Sequence, residues 1–174
     1  MLVTNHVLAG AIIGAVTRRP AVAFAAGLAS HFVMDAIPHW GSVDRSTFLK
    51  VAVCDGLTGL GVIAAVSCAG RGPGQLALLA AMAGAAAPDL NKPGQLFFGR
   101  SPFPAGLDRF HARIQRESPD RMVHEFLAGA VLGMVAWALV RRASARARAM
   151  AQGARPAPPS PHLPVRAPAL EHAG

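Results

Sequence analysis

Tyrosine is absent from this chain, and phenylalanine (8) and tryptophan (2) together supply only 6% of its residues. Sheets draw on aromatic and β-branched side chains to fill their pleated faces. Their scarcity argues for helices packed through small residues. Charge is also scarce: Asp, Glu, Lys and Arg make up 15% of the chain against 52% hydrophobic, and mean hydropathy is +0.36. The 9 acidic residues are outnumbered by 17 Lys and Arg, a net charge of +8. There are two cysteines, Cys54 and Cys68, in one apolar segment. On a helix they stand about 21 Å apart, beyond the reach of a disulfide. A disulfide framework is therefore excluded, and the pair says nothing about compartment.

What is present is apolar sequence in five segments: Thr4–Val16, Ala21–Ala36, Leu49–Ala69, Gln75–Ala87 and Met122–Val140. They are separated by RRP, IPHWG, GRGPG, a long stretch from Asp89 to Arg121, and the pair Arg141–Arg142. Pro and Gly at such points punctuate helices. The third and fifth reach the roughly 20 residues of a bilayer crossing, and the others fit thin spans or core helices. The expected fold is all-α, a membrane-embedded bundle of about five helical segments, with a soluble bundle as the alternative. Gly10 and Gly14, Gly59, and Gly129 and Gly133 recur at four-residue spacing after His6, Asp55 and Glu125, a pattern that lets helices approach closely in lipid.

The first segment has no positive charge before it and Arg18–Arg19 after it, the reverse of a secretory signal. A retained helix with its start outside fits better, and Arg141–Arg142 agree with that orientation. The basic residues between Asp89 and Arg121 oppose it, so orientation stays open. Within that connector, NKPGQLFFGRSPFPAG reads as an irregular loop with interfacial Phe97, Phe98 and Phe103. LDRFHARIQRE reads as an amphipathic helix suited to a bilayer surface. The domain boundary expected is 1–142 for the helical part and 143–174 for a disordered Ala/Pro/Arg-rich tail, which has little to bury. No aromatic interleaving accompanies the tail's arginines, so specific nucleic-acid binding is not expected.

Threading the five segments up and down sends His6, His31, Asp35, His39, Asp55, Asp89, His124 and Glu125 to one end. The arginines closing the first, third and fifth segments go to the other. Ionisable groups at membrane depth are costly unless they pair, reach water or bind an ion. In SHFVMDAIPHW, His31 and Asp35 share a helix face, and His39 follows Pro38 just past the helix end. Imidazole nitrogen with carboxylate oxygen suits zinc, and also manganese or iron. An open coordination position on such a metal acidifies a bound water toward neutral pH. Each residue also has a bland reading: a capped helix start for His6, a helix stop for Asp89, an interfacial pair for His124–Glu125. An ion or proton pathway is a third reading, although these groups gather at one end instead of spanning the segments.

The motifs NHVLAGAIIG, SHFVMDAIPHW and PDLN, followed by later histidines, resemble the YdjM-like family of bacterial inner-membrane metal-dependent hydrolases. The resemblance covers Thr4–Gly133, and SHFVMDAIPHW is its specific part. It implies a multi-helix protein of the bacterial inner membrane, with metal ligands at His6, His31, Asp35, His39 and Asp89 and a late pair drawn from His111 and His124. Asn91 stands where the family motif has a second acid. The family is distantly similar to zinc-dependent phospholipase C, whose His-x3-Asp spacing bridges metals, which implies phosphoester or lipid-ester substrates and a membrane-lipid partner.

The expected metal ligands are thus His6, His31, Asp35, His39, Asp89, His111 and His124, with Asp55 or Glu125 as general base on water. A non-catalytic metal-binding membrane protein and an ion or proton transporter are the alternatives. Oligomeric state is not indicated.

Overall fold

The structure is a computed structural model and describes residues 1–42, 44–70, 72 and 74–153. It is all-α apart from one two-residue strand pair. The helices are α1 (Val3–Val16), α2 (Pro20–Asp35), α3 (Arg45–Ala69), α4 (Gln75–Ala86), α5 (Asn91–Phe98), α6 (Ala105–Ile114) and α7 (Met122–Gly153). A 3-10 turn, Ala87–Leu90, joins α4 to α5, and another, Pro119–Arg121, precedes α7.

Local chemistry explains where these helices begin and end. Pro20 opens α2 at its first position, where its missing N–H is no loss. The Asp44 carboxylate accepts from the Ser46 and Thr47 amides at 3.4 and 2.8 Å, so α3 starts four residues before its apolar run. The stretch expected to be an irregular loop contains α5 instead. The backbone is already helical through Leu90, Pro93 falls in the first turn where it is tolerated, and Gly99 at φ 68° ends the helix.

The tail differs likewise: α7 continues past Val140 to Gly153. Ala and Arg are strong helix formers, Val140 is buried, and Ser144 Oγ donates to the Ala69 carbonyl at 2.8 Å. The boundary expected at residue 143 therefore falls inside a helix. The remainder of the expected disordered tail, 154–174, lies outside the described residues.

Helix α1 is the centre of the bundle and packs against α2, α3, α4 and α7. Its partners meet it through Val7, Leu8 and Ala11, joined by Val66, Leu78, Met82, Ala136 and Val140 in one apolar cluster. The closest approach is between α2 and α4. A Cβ placed on Gly27 would lie 2.2 Å from the Ala81 carbonyl oxygen, and one on Gly84 2.2 Å from that of Phe24. Only glycine permits this separation. Gly10 and Gly14 do the same for α1 against α4, where added Cβ atoms would sit 2.7 and 2.5 Å from backbone atoms of Met82 and Leu78.

Two helices, α3 and α7, are long and apolar enough to cross a membrane, each with a mean hydropathy of 1.8 over its best window. Most of their surface is not covered by protein: Leu57, Leu60, Phe126, Leu127 and Met134 are all more than 60% exposed.

A candidate metal centre

The parallel strand pair β1 (His39–Trp40) and β2 (Glu117–Ser118) matters for position more than for stability. The His39 amide donates to the Arg116 carbonyl at 3.0 Å and the Gly41 amide to that of Ser118 at 3.3 Å. This clip ties the chain leaving α2 to the chain leaving α6. It brings α6 against the end of α2 and sets His111 over Asp35.

Asp35 is fully buried and surrounded by imidazoles. His6 Nε2 lies 3.1 Å from its Oδ1. His31 Nε2 and His111 Nε2 lie 3.1 and 2.8 Å from its Oδ2. Gln115 Nε2 donates to the same oxygen at 3.3 Å, and the Met1 amino group lies 3.1 Å from Oδ1. His6 and His31 stack with ring centroids 4.0 Å apart. His6, His31 and Asp89 form one triad and His31, Asp35 and His111 a second, the ligand atoms of each within 4.8 Å of one another. All five residues are buried, at 9% exposure or less. These groups can hold a metal ion.

The tautomer of His31 sharpens that statement. Its Nδ1 lies 2.7 Å from the Ala85 carbonyl, and a carbonyl only accepts, so Nδ1 carries the proton. A neutral ring then turns the Nε2 lone pair toward Asp35 Oδ2 at 3.1 Å and His111 Nε2 at 3.0 Å. Electron-rich atoms at that range need a hydrogen or a cation between them, and either an Nε2–H of His111 or a bound ion supplies it. Ligands at about 2.0–2.1 Å from a tetrahedral zinc stand about 3.3–3.4 Å apart, a few tenths of an ångström wider than these separations. Fixing one ring nitrogen on a carbonyl while the other faces the metal is the usual outer-sphere arrangement for ligand histidines.

Asp89 reaches the cluster from the 3-10 turn after α4, with Lys92 Nζ 2.8 Å from its Oδ1. Burial alone would raise the Asp89 carboxyl, but the Lys92 ammonium together with His6 and His31 outweighs it, and the group is held below the ordinary carboxylate range. Burial likewise pulls Lys92 down, and the charge and hydrogen bond of Asp89, with the charges of Asp35 and Glu117, together hold it above its ordinary value. His6 Nδ1 and Asn91 Oδ1 are buried without a hydrogen-bond partner among the described residues. Such orphaned acceptors are uncommon in a folded protein, and of these two His6 belongs to the cluster.

The other expected site residues go elsewhere. His39 is buried, its Nδ1–H bonded to the Ile37 carbonyl at 2.8 Å, and it joins neither triad. His124 is exposed on α7 and is not a ligand in this arrangement. The later histidine that joins a triad is His111. The two residues expected as general base cap α1 instead. Asp55 accepts from the Val3 and Thr4 amides at 2.6 and 3.1 Å. Glu125, 2% exposed, accepts from the Leu2 amide, Asn5 Nδ2 and the Trp40 amide at 3.1, 2.7 and 3.1 Å. Helix α1 begins without a side-chain cap of its own, so carboxylates from α3 and α7 satisfy its first amides and meet the positive end of its dipole. Both carboxylates thereby hold the start of α1, the helix that carries His6.

Sequence reasoning missed Gln115, Asn5 and the Ala85 carbonyl. Asn5 had a signal, a polar residue beside His6 in an apolar run. A backbone carbonyl has none. No family model, curated protein or solved structure matches the chain.

Proposed function

We propose that this protein is a membrane-embedded, metal-dependent hydrolase acting on a phosphoester or lipid-ester bond. The single observation carrying the metal part is the His31 geometry, a ring pinned through Nδ1 with Nε2 directed at Asp35 and His111. The ligand set is His6, His31, Asp35, Asp89 and His111. A mix of imidazole and carboxylate favours zinc, with manganese next. A divalent cation held there supplies Lewis acidity to an ester or phosphoester oxygen and acidifies water. Gln115 and Lys92 border the ligands with N–H groups, able to bind and orient an anionic oxygen.

Membrane embedding is supported by α3 and α7. At 1.5 Å per residue, the 25 residues of α3 span about 37 Å, enough for a hydrocarbon core of about 30 Å. Their bare apolar surfaces are those a bilayer would cover. The resemblance of SHFVMDAIPHW to the YdjM-like inner-membrane hydrolases supports the same reading, and supplies the bacterial inner membrane as its location.

The test is elemental analysis of detergent-purified protein beside His31→Ala, Asp35→Ala and His124→Ala. Stoichiometric metal in wild type and His124→Ala, lost in the other two, is expected. Equal trace metal in all four would end the proposal. Bound metal with no hydrolysis across phosphodiester and lipid-ester substrates would leave a non-catalytic metal protein.

A further inference from the structure

Charge in this molecule is sorted by end. Away from the histidine cluster, Leu78 of α4 packs with Val140 of α7, and Ala15 of α1 and Ala69 of α3 lie against the same apolar group. A Cβ placed on Gly14 or on Gly70 would lie 2.5 Å from an atom of Leu78, and Ser144 Oγ bonds to the Ala69 carbonyl at 2.8 Å. The last turns of α1 and α3 and the Val140–Ser144 turn of α7 therefore stand at one level. Arg18, Arg19, Arg141, Arg142, Arg146 and Arg148 follow from that level, and all six are exposed. None has an ion-pair partner among the described residues. The eight described Asp and Glu all lie toward the histidine end, Asp55 included through its bonds to the start of α1. The other eight described Lys and Arg stand there with them. One end is thus balanced, and the other carries six unopposed positive charges.

The arginines of α7 are also placed at a boundary. Val140 and Ser144 are buried and fix the side of α7 that faces the bundle. Residues four or seven apart share one side of a helix, so Arg142 with Arg146 and Arg141 with Arg148 form two rows flanking the outward side. Arg141 Cζ lies 5.6 Å from the centroid of the Trp137 ring, a cation–π distance, and Trp137 is 48% exposed. A half-exposed tryptophan under an arginine at the end of an apolar helix marks the level where hydrocarbon meets headgroups. Arg148 stands seven residues further on, about 10 Å along the axis, within about one Debye length of that level.

We infer that this end of the bundle is a contact surface for anionic phospholipid, its six arginines holding the phosphates of the adjoining leaflet. The inference rests on the membrane part of the proposed function and is independent of the metal centre. Guanidinium forks bind phosphate oxygens bidentately, and each cation near an anionic leaflet adds to the attraction. Unopposed positive charge at the membrane boundary selects anionic over zwitterionic headgroups, a selection that the balanced end does not offer.

Trp137 reports on this boundary. The full chain bearing Trp40→Phe is reconstituted in phosphatidylcholine bilayers containing a small fraction of phosphatidylglycerol brominated at carbons 6 and 7, and Trp137 quenching is followed. Phosphatidylcholine brominated at the same carbons is the reference. Half-maximal quenching at a mole fraction about threefold lower for the anionic lipid is expected, the ratio falling as sodium chloride rises from about 0.1 to about 1 M. Arg142→Gln, Arg146→Gln and Arg148→Gln combined leave Arg141 on Trp137 and should lower the ratio about twofold at low salt. Arg109→Gln with Arg113→Gln, at the balanced end, should leave it unchanged. Equal quenching by both lipids in the parent, a ratio insensitive to salt, or an equal loss in the two sets of variants overturns the inference and leaves the membrane reading in place. Quenching by neither lipid removes both, and metal content measured on the same preparation still decides the centre.

Discussion

Alanine at Gly84 should disable the metal site from more than one turn away, without touching a ligand. Its Cβ would lie 2.2 Å from the Phe24 carbonyl oxygen, with Phe24 C and Cα at 3.0 and 3.1 Å. These neighbours are backbone, so no side-chain rotation relieves them. Restoring ordinary contact requires α2 and α4 to part by about 1 Å. The His31–Ala85 hydrogen bond, now 2.7 Å, bridges those same helices. It would stretch to about 3.7 Å, past the limit of a useful hydrogen bond. His31 would lose the partner that fixes its tautomer, a change that lowers metal affinity about 10–100-fold. Overpacking should also cost about 1–3 kcal/mol, partly offset by about 1 kcal/mol from replacing a helical glycine. The control is Gly61→Ala on α3, where nothing lies within 4 Å. It gains the propensity and strains nothing. Thermal unfolding in detergent and competition against a chromogenic zinc chelator read both effects. If Gly84→Ala binds metal and melts like Gly61→Ala, the linkage from helix spacing to ligand tautomer is wrong.

Glu125→Ala should destabilise by at least about 3 kcal/mol, because three donors lose their acceptor in a buried site at about 1–3 kcal/mol each. Urea unfolding checks this, and a stable variant lacking only hydrolysis would restore Glu125 to the role of base. Asp55→Ala should cost about 1–2 kcal/mol through loss of the α1 cap, while purified folded protein keeps stoichiometric metal. Zero metal in that folded variant would place Asp55 among the ligands. Chelation of the wild-type protein should lower its melting temperature, and added zinc should raise it with concentration, as binding to the folded state alone requires. An unmoved transition would argue against a resident cation.

The fold was legible wherever a short-range cause set it. Apolar runs broken by Arg-Arg-Pro and by glycine gave α1, α2 and α4 to within a residue or two of their observed ends. The start of α3 and the end of α7 were misplaced because hydrophobicity was allowed to stand for helicity. Asp44 as a cap and Ala/Arg propensity extended both helices beyond their apolar portions.

In the site, His31 and Asp35 were legible from their spacing alone. The choice between His111 and His124 was not. His124 and Glu125 are adjacent, and neighbours on a helix point about 100° apart, so only one can face inward. That one is Glu125. His111 reaches the cluster through the His39–Glu117 strand pairing, a contact between segments nearly eighty residues apart, for which a two-residue strand leaves no periodic trace. The amide partners of Asp55 and Glu125 were illegible for a related reason. Sequence displays a carboxylate but not the amides that occupy it.

The borrowed caps of α1 also set a timetable for the molecule's birth. The Leu2 amide waits for an acceptor 123 positions later, and Val3 waits for one 52 positions later. A ribosome delivers about 5–20 residues per second, so the first helix exists for seconds before the last of its partners is made. During that interval its leading amides and His6 face whatever surrounds the nascent chain. A polypeptide halted before Met122 would hold Asp35 and its neighbouring imidazoles, yet lack the final clasp that orients them. The buried imidazoles and Asp35 reach their final arrangement only once synthesis of the closing helix is under way.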